Sequence, residues 1–336
     1  MDTFAQYMDR ALYGPNGYYS SGAARSGKAG DYFTAPDVGK TFGLLLSEIF
    51  QSWKDKLRLE SFVLAEAGAG EGRLAADILA SRPFTYRTIE KSASRVEVLK
   101  KLSAVDVYTD IGSMPPMEGV LFGNELIDAF PVHRVRMKDG KLEEAYVGAD
   151  LMPAPTIHWD CPSTPRLESY FDRLGIALPN DYETEVNLAM ADWLREAGRA
   201  LKKGLILFID YGRPAHEYYA PERTMGTLRA FSKHRVSSNI LDSGAVDLTA
   251  DVDFTSLALD ARGAGFVPLA FMEMGTFLTS AVSLAPTLSY RPLALRYLLH
   301  PDGLGAAFHV LILGKNIEPA DWVFEHNRLR RLGLPI

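Results

Sequence analysis

Cysteine is almost absent: Cys161 is the only one in 336 residues, which excludes an intramolecular disulfide framework. The seven histidines are scattered, without an H-x-x-x-H pair, so no metal site is expected. Basic charge is not in excess either, because 36 Lys+Arg stand against 42 Asp+Glu for a formal net charge of −6. With no overall basic field, neither nucleic acid nor a membrane surface is an expected partner. Long apolar runs are missing too. The longest, 204–209 and 310–313, are strand-sized. The opening MDTFAQYMDR carries Asp2 and Asp9 where a secretory signal needs a basic head and an unbroken apolar core. A soluble, cytoplasmic protein is expected. No internal repeat and no low-complexity tract interrupts the chain.

What the sequence does have is apolar residues, 47% of the total, enough for a large core in one elaborated domain or two smaller ones. They are arranged as alternating strands and helices. Residues 61–67 (SFVLAEA) read as a buried strand ending on an acid, followed by a glycine turn over 68–72 and an amphipathic helix over 73–80. A second strand is predicted over 86–90, a helix over 94–102, and strands over 105–108 and 119–122. A helix over 183–202 and a strand over 205–209 continue the alternation. Such a pattern implies a mostly parallel, Rossmann-like sheet covered on both faces. Three segments exceed that minimal unit. Residues 132–147 read as a β-hairpin turning at Asp139-Gly140. Residues 212–250 read as a long irregular loop of the kind used for lids or binding loops, and 276–299 as a helical cap. The expected layout is an N-terminal extension (1–58), a core (59–131, 183–274 with its loop, and 304–316), and insertions (132–182 and 275–303) forming a substrate-covering subdomain.

The richest motif is Glu66-Ala67-Gly68-Ala69-Gly70-Glu71-Gly72. Its G-x-G-x-G spacing is shorter than the G-x-G-x-x-G dinucleotide fingerprint, and an acid precedes the turn, which favours S-adenosyl-L-methionine over NAD. Glu66 at the strand end would lie near the cofactor's amino group. Glu90, ending the next strand, would offer paired acceptors to a ribose diol. A structural turn flanked by solvated acids is the alternative. Asp110, after the third strand, either accepts from the adenine amino group or caps a turn.

At the end of the fourth strand stands Asn124-Glu125-Leu126-Ile127-Asp128-Ala129-Phe130-Pro131, where open α/β sheets place their ligands. If the run after Asn124 is helical, Glu125 and Asp128 share a face at i, i+3. Two carboxylates there suit a guanidinium, held by charge-assisted hydrogen bonds with one nitrogen aimed at a methyl donor. Alternatively, Asn124 or Asp128 merely caps a helix.

These blocks make the chain resemble the MidA-like class I methyltransferases, a family that includes a mitochondrial assembly factor methylating an arginine on a subunit of respiratory complex I. The resemblance runs through Ala11-Leu12-Tyr13-Gly14-Pro15, Gly17-Tyr18-Tyr19, Gly30-Asp31-Tyr32-Phe33-Thr34-Ala35-Pro36 and Phe42-Gly43. After the glycine turn and the Asn124 block it continues with Asp210-Tyr211-Gly212, Gly226-Thr227-Leu228-Arg229 and the stretch DLTADVDF at 247–254. It implies a seven-stranded methyltransferase sheet with an N-terminal extension and a helical insertion, and S-adenosyl-L-methionine as cofactor. It also implies that Thr34 and Pro36 lie over the cofactor, that Gly68, Gly70, Gly72 and Glu90 hold it, and that Asn124, Glu125 and Asp128 face the substrate. Asp210 and Tyr211 line the acceptor pocket, or Asp210 simply caps a turn. Arg229 and His234 fall in the long loop, as lid contacts or as ordinary surface residues. One departure is Glu71, where the family commonly has arginine. The function expected is a protein arginine N-methyltransferase. Its competitors are a small-molecule O- or N-methyltransferase and a non-catalytic assembly factor that binds the cofactor for stability. The partner is thus a protein or small-molecule acceptor, with a homodimer allowed.

Overall fold

The computed structural model of the chain describes residues 1–21, 35–148, 155–232, 235–237, 239–285 and 290–334. It opens with β1 (Asp2–Thr3) and α1 (Phe4–Tyr13), where Thr3 and Gln6 cap the helix reciprocally. After α2 (Thr41–Leu57) come β2 (Val63–Ala67), α3 (Arg73–Ser81), β3 (Thr85–Ile89), α4 (Ala93–Leu99), β4 (Val105–Tyr108) and β5 (Met117–Asn124). The alternation then pauses for β6 (His133–Lys138), β7 (Lys141–Gly148), β8 (Thr156–Asp160), α5 (Arg166–Leu174) and β9 (Glu183–Val186), and resumes with α6 (Ala189–Ala200) and β10 (Leu201–Arg213). Next are α7 (Ala215–Tyr218), β11 (Arg229–Ser232), β12 (Arg235–Ser237), β13 (Asp247–Thr249), β14 (Val252–Asp253) and α8 (Phe254–Gly263). The chain completes its sheet with β15 (Val267–Glu273), α9 (Met274–Leu284), α10 (Pro292–Leu299) and β16 (Phe308–Lys315).

The main sheet has the order β15-β16-β10-β5-β2-β3-β4. Strands β10, β5, β2, β3 and β4 are parallel, and β16 runs antiparallel to both neighbours. This is the Rossmann-like class I methyltransferase arrangement. The chain leaves β2 for β3 and β4 on one side and returns to β5 and β10 on the other, so the strand order reverses between β2 and β5 and opens a crevice at their carboxyl ends.

Central strands bury both faces. Val120 and Phe122 join Leu207, Phe50 and Phe277 on one side, whereas Leu121 joins Phe208, Leu194 and Leu257 on the other. That two-sided burial is why these strands read as continuous apolar runs. Helices α2, α3, α9 and α10 cover the first face, and α6 and α8 the second. Among the described residues no helix is long and apolar enough to cross a membrane.

Two smaller antiparallel sheets are added, β1-β7-β6-β9 with β8 on β7, and β12-β11-β13. The hairpin predicted over 132–147 is β6 and β7. Asp139 and Gly140 both adopt positive φ, 49° and 74°, the signature of a two-residue I′ turn. Two predicted elements differ. The helix expected over 183–202 is divided: residues 183–186 pair with β6 as β9, and Asn187 accepts from the Met190 N–H (3.0 Å) as α6 begins. The β-branched Thr184 and Val186 favour the strand. The segment 212–250, expected to be irregular, contains α7 and the three short strands β11, β12 and β13. Within the segment read as a helical cap, α9 buries Phe277, Leu278 and Ala281 in the main core.

Strands β2, β5 and β10 approach closely at Gly119 and Gly204, which face each other with φ of 135° and 134°. A methyl group on Gly119 would collide with the backbone of Val63. Gly119→Ala should therefore lower unfolding stability by about 3 kcal/mol in urea titrations. A loss below about 1 kcal/mol would show that the sheet relaxes around the extra carbon.

Candidate active site

The glycine turn is backbone built for close approach. Gly68, Gly70 and Gly72 have φ of 70°, 57° and 77°, values that strain any residue with a Cβ. The N–H of Gly68 donates to the Ile89 carbonyl at 2.8 Å. Those of Gly70 and Ser92 donate to the two carboxylate oxygens of Glu90, each at 2.8 Å, which pins Glu90 beside the turn. Glu66 is buried beneath it and accepts a 2.6 Å hydrogen bond from the Tyr86 hydroxyl. Burial pushes the Glu66 carboxyl up to about 8, against the Tyr86 hydrogen bond and with added repulsion from Glu90.

Beyond Asn124 the chain does not become helical as the i, i+3 reading supposed; residues 125–130 form a turn. Glu125 takes a left-handed conformation, φ 51°, and its carboxylate accepts from the Asn124 amide at 3.0 Å. The turn is held from below by the buried Asp210. One of its oxygens accepts the N–H groups of Leu126, Ile127 and Asp128 at 3.2, 2.9 and 3.3 Å. The Tyr211 hydroxyl donates to one oxygen of Asp128. The other oxygen, Oδ1, is buried without a hydrogen-bond partner, as is Oδ1 of Asn124. Burial raises all three carboxyls. Glu125 reaches about 8, with Asp128 repelling it, and Asp128 reaches about 6, with Tyr211 opposing the rise. Asp210 is pushed well above the carboxylate range by burial and by both neighbours.

The glycine turn and the acid turn face one cavity of about 1160 Å³. Pro36, Glu66, Gly68, Gly70, Glu90, Asp110, Asn124, Glu125 and Asp128 line it. Gly72 does not; a Cβ there would strike Leu99 and Leu102, so this glycine serves helix packing. Thr34 and His234 lie outside the described residues. Asp110 accepts from the Ser113 N–H at 2.8 Å as a helix cap, and it also lines the cavity. Sequence reasoning left Trp193, Arg213 and His309 unremarked, although all three line the cavity. No spacing marks them, because the fold brings them in from α6, β10 and β16. Tyr13 and Tyr19 from the N-terminal block also reach the wall, and Tyr19 donates to Asp247 at 2.6 Å.

Other blocks build the frame. The backbone N–H groups of Thr227 and Leu228 donate to the buried Glu185 at 2.8 and 3.3 Å, and Asp253 caps α8 through Thr255 and Ser256. Among the described residues no cluster of three His, Cys, Asp or Glu side chains is placed to hold a metal ion. A nucleoside-sized cavity, acidic acceptors at Glu66 and Glu90, and unpartnered buried oxygens on Asn124 and Asp128 instead fit a cationic adenosyl cofactor.

Comparisons with known proteins agree with that fit. A family model of S-adenosyl-L-methionine-dependent methyltransferases, Methyltransf_28, matches residues 44–272. The rat mitochondrial protein arginine methyltransferase NDUFAF7 is 28% identical over 316 residues, covering 82% of this chain and 70% of the relative. The Drosophila melanogaster homolog is 26% identical over 317 residues, with the same coverage. A Burkholderia thailandensis protein crystallised with S-adenosyl-homocysteine is 28% identical, with a TM-score of 0.83 over 94% of this chain and 88% of that one. The native crystal structure of a superfamily protein from the same organism gives 27% and 0.81, covering 97% and 90%.

The raised carboxyls make stability depend on pH. Glu66 and Glu125 keep protons up to about pH 8 when folded, whereas an ordinary glutamate releases them near 4.5. The folded chain thus binds more protons across that window. The stability of the ligand-free protein should fall as pH rises from about 4.5 to about 8 and level off above it. Urea midpoints across the range test this, and Glu66→Gln should flatten the slope by about one proton's share. A variant profile as steep as the parent's would refute a buried proton on Glu66.

Proposed function

We propose, for a chain that belongs to the Methyltransf_28 family of S-adenosyl-L-methionine-dependent methyltransferases, that the methyl acceptor is an arginine side chain on a protein. The chain is an enzyme of that class with S-adenosyl-L-methionine as its cofactor. The observation that carries the arginine reading is the pair of carboxylates on one turn, Glu125 and Asp128. Asp128 lines the cavity that the glycine turn also lines, and one of its oxygens is buried without a hydrogen-bond partner. The relatives' name, protein arginine methyltransferase, supports the same acceptor.

In this reading Glu66 meets the cofactor's amino-acid end. Glu90, whose oxygens each accept one backbone N–H, retains lone pairs for ribose hydroxyls, and Asp110 lies toward the adenine. When bound, the cofactor supplies a methyl group on a positively charged sulfur. Asp128, held by Tyr211, ionises before Glu125 and binds the arriving guanidinium by a charge-assisted hydrogen bond. Two cations entering the site lower the Glu125 carboxyl, so that it too ionises. Glu125 would then accept the proton that the guanidinium nitrogen gives up as its new N–C bond forms, the methyl–sulfur bond breaking in the same step and the sulfur leaving as a neutral thioether. Asn124 orients Glu125 from the preceding position.

Glu125→Gln and Asp128→Asn should each reduce methyl transfer at least about 10²-fold while leaving cofactor binding within a few-fold of the parent. The assay is transfer of a tritiated methyl group to a lysate from cells lacking the protein, followed by mass spectrometry of the labelled species. Label confined to small molecules would replace the arginine reading with a small-molecule acceptor. Cofactor binding without any turnover would leave a non-catalytic assembly factor.

A further inference from the structure

Past Asp210 and Tyr211, strand β10 continues to Gly212 and Arg213, and all three of Tyr211, Gly212 and Arg213 line the cavity. Alternation along a strand puts Tyr211 and Arg213 on one side, about 7 Å apart. Tyr211 holds Asp128, so Arg213 lies one side-chain step from the carboxylates assigned to the acceptor's guanidinium.

The charges around Arg213 do not balance. Its Nε is buried with no hydrogen-bond partner, and the nearest ion-pair partner, Asp251, is 3.9 Å away. Asp251 is already engaged by Arg229, whose own Nε is likewise buried and unpartnered. Arg229 also lies over the Tyr211 ring, 5.1 Å from its centre. Another acid near Arg213 is Glu217, which Arg331 binds at 2.6 Å. Arg229 also faces the Asp128 carboxylate, and among the described residues Arg213 is the one of these three guanidiniums that donates no hydrogen bond to an acid. Its side chain is 40% accessible. Nearby His309 adds no further positive charge: burial, then Arg331, with Arg213 contributing, push it down to about 4. A positive, incompletely paired wall thus stands beside an acidic turn in the same cavity.

We propose that Arg213, backed by Arg229, is a carboxylate-binding subsite for the methyl acceptor, so that the enzyme selects a target carrying an acidic group close to the methylated one. With a protein arginine as target, which rests on the reading above, that group is an Asp or Glu side chain one or two positions away, since an extended chain advances about 3.4 Å per residue. The acidic turn takes the cationic end, the Arg213 wall the anionic end, and the spacing between them sets the register of the bound peptide. Arg213 thereby acts as a specificity residue that contacts the acceptor outside the reacting atoms.

The test uses the full chain loaded with S-adenosyl-homocysteine and acetylated, amidated heptapeptides with a central arginine and a single Glu or Gln at each position within two residues. By calorimetry, the best Glu peptide should bind about tenfold more tightly than its Gln counterpart. That advantage should shrink with added salt, fall below about twofold in Arg213→Gln, and return at least in part in Arg213→Lys. A Gln peptide with a free C-terminus separates a terminal carboxylate from a side-chain one as the source. Melting temperatures equal to the parent's establish that the variants fold. Equal binding of every Glu and Gln pair, no peptide binding at all, or a Glu advantage that survives Arg213→Gln would each overturn the subsite. Tritiated-methyl transfer to the same peptides keeps the two readings apart. Arg213-dependent binding that persists with citrulline in place of arginine, with no label entering any arginine peptide, would defeat the arginine reading and leave the carboxylate subsite standing.

Discussion

One buried carboxylate carries the geometry of the site. Asp210 lies at the end of the sheet's fifth parallel strand, 1% exposed, and a single oxygen of it collects three successive backbone N–H groups from residues 126–128. Those buried donors would otherwise lack a partner. Their convergence fixes the path of the chain after Asn124 and holds Glu125 in a left-handed conformation that a glutamate rarely adopts. The same anchor aims Asp128 at the Tyr211 hydroxyl, because Asp210 and Tyr211 are consecutive in one strand. Two neighbouring parallel strands thus build the reactive turn between them, one supplying the turn and the other the acceptor that shapes it.

The anchored turn also reaches the cofactor loop. Leu126 lies so close to Gly68 that a Cβ there would meet its side chain at 3.0 Å. The glycine is required on both sides, for its positive φ and for the leucine above it. Around this contact the site concentrates acids whose ionised forms are disfavoured by burial: Glu66, Glu125, Asp128 and Asp210. Such a cluster is poorly compensated by the protein itself and is complemented by cations. A sulfonium with its amino group and a guanidinium are both positive. The electrostatic tension in the folded chain is therefore the counterpart of the ligands it takes, and methyl transfer asks little more of the protein than alignment and exclusion of water.

Much of this was legible in the sequence because it follows local rules. Strand-sized apolar runs, the glycine spacing, the acids at strand ends and the Asp-Gly hairpin all announce themselves within a few residues, and the main sheet followed from them. What escaped depends on tertiary partners. The stretch 183–202 carries helical periodicity, yet the β-branched Thr184 and Val186 pair with β6, a choice completed by the inserted hairpin that offers them a partner strand. The strands inside 212–250 are short and polar, and gain their order from pairing Arg229–Phe231 with Asp247–Thr249. The helix supposed after Asn124 does not form: Glu125 takes a positive φ that breaks the helical path, and Asp210, more than eighty residues later, gathers the next three N–H groups into a turn. Trp193, Arg213 and His309 have no motif at all, since their meeting in one cavity is a property of the closed sheet.

The departure at residue 71 shows how the same division governs tolerance. Glu71 is exposed at the rim of the cavity, whereas the turn's hold on Glu90 runs through the Gly70 and Ser92 N–H groups. A charge reversal at the rim changes the potential at the entrance, where solvent screens it, and leaves the backbone donors and the positive-φ glycines untouched. Residues inside the frame lack that freedom. Gly226 packs so closely on the Glu185 carboxylate that any side chain would displace it, and Glu185 in turn organises the Thr227–Leu228 backbone from which Arg229 and β11 begin. The blocks that mark this family in the sequence therefore have two origins. Some face the ligands, and others, such as the segments at 226–228 and 253, hold the wall on which the ligand-facing residues stand.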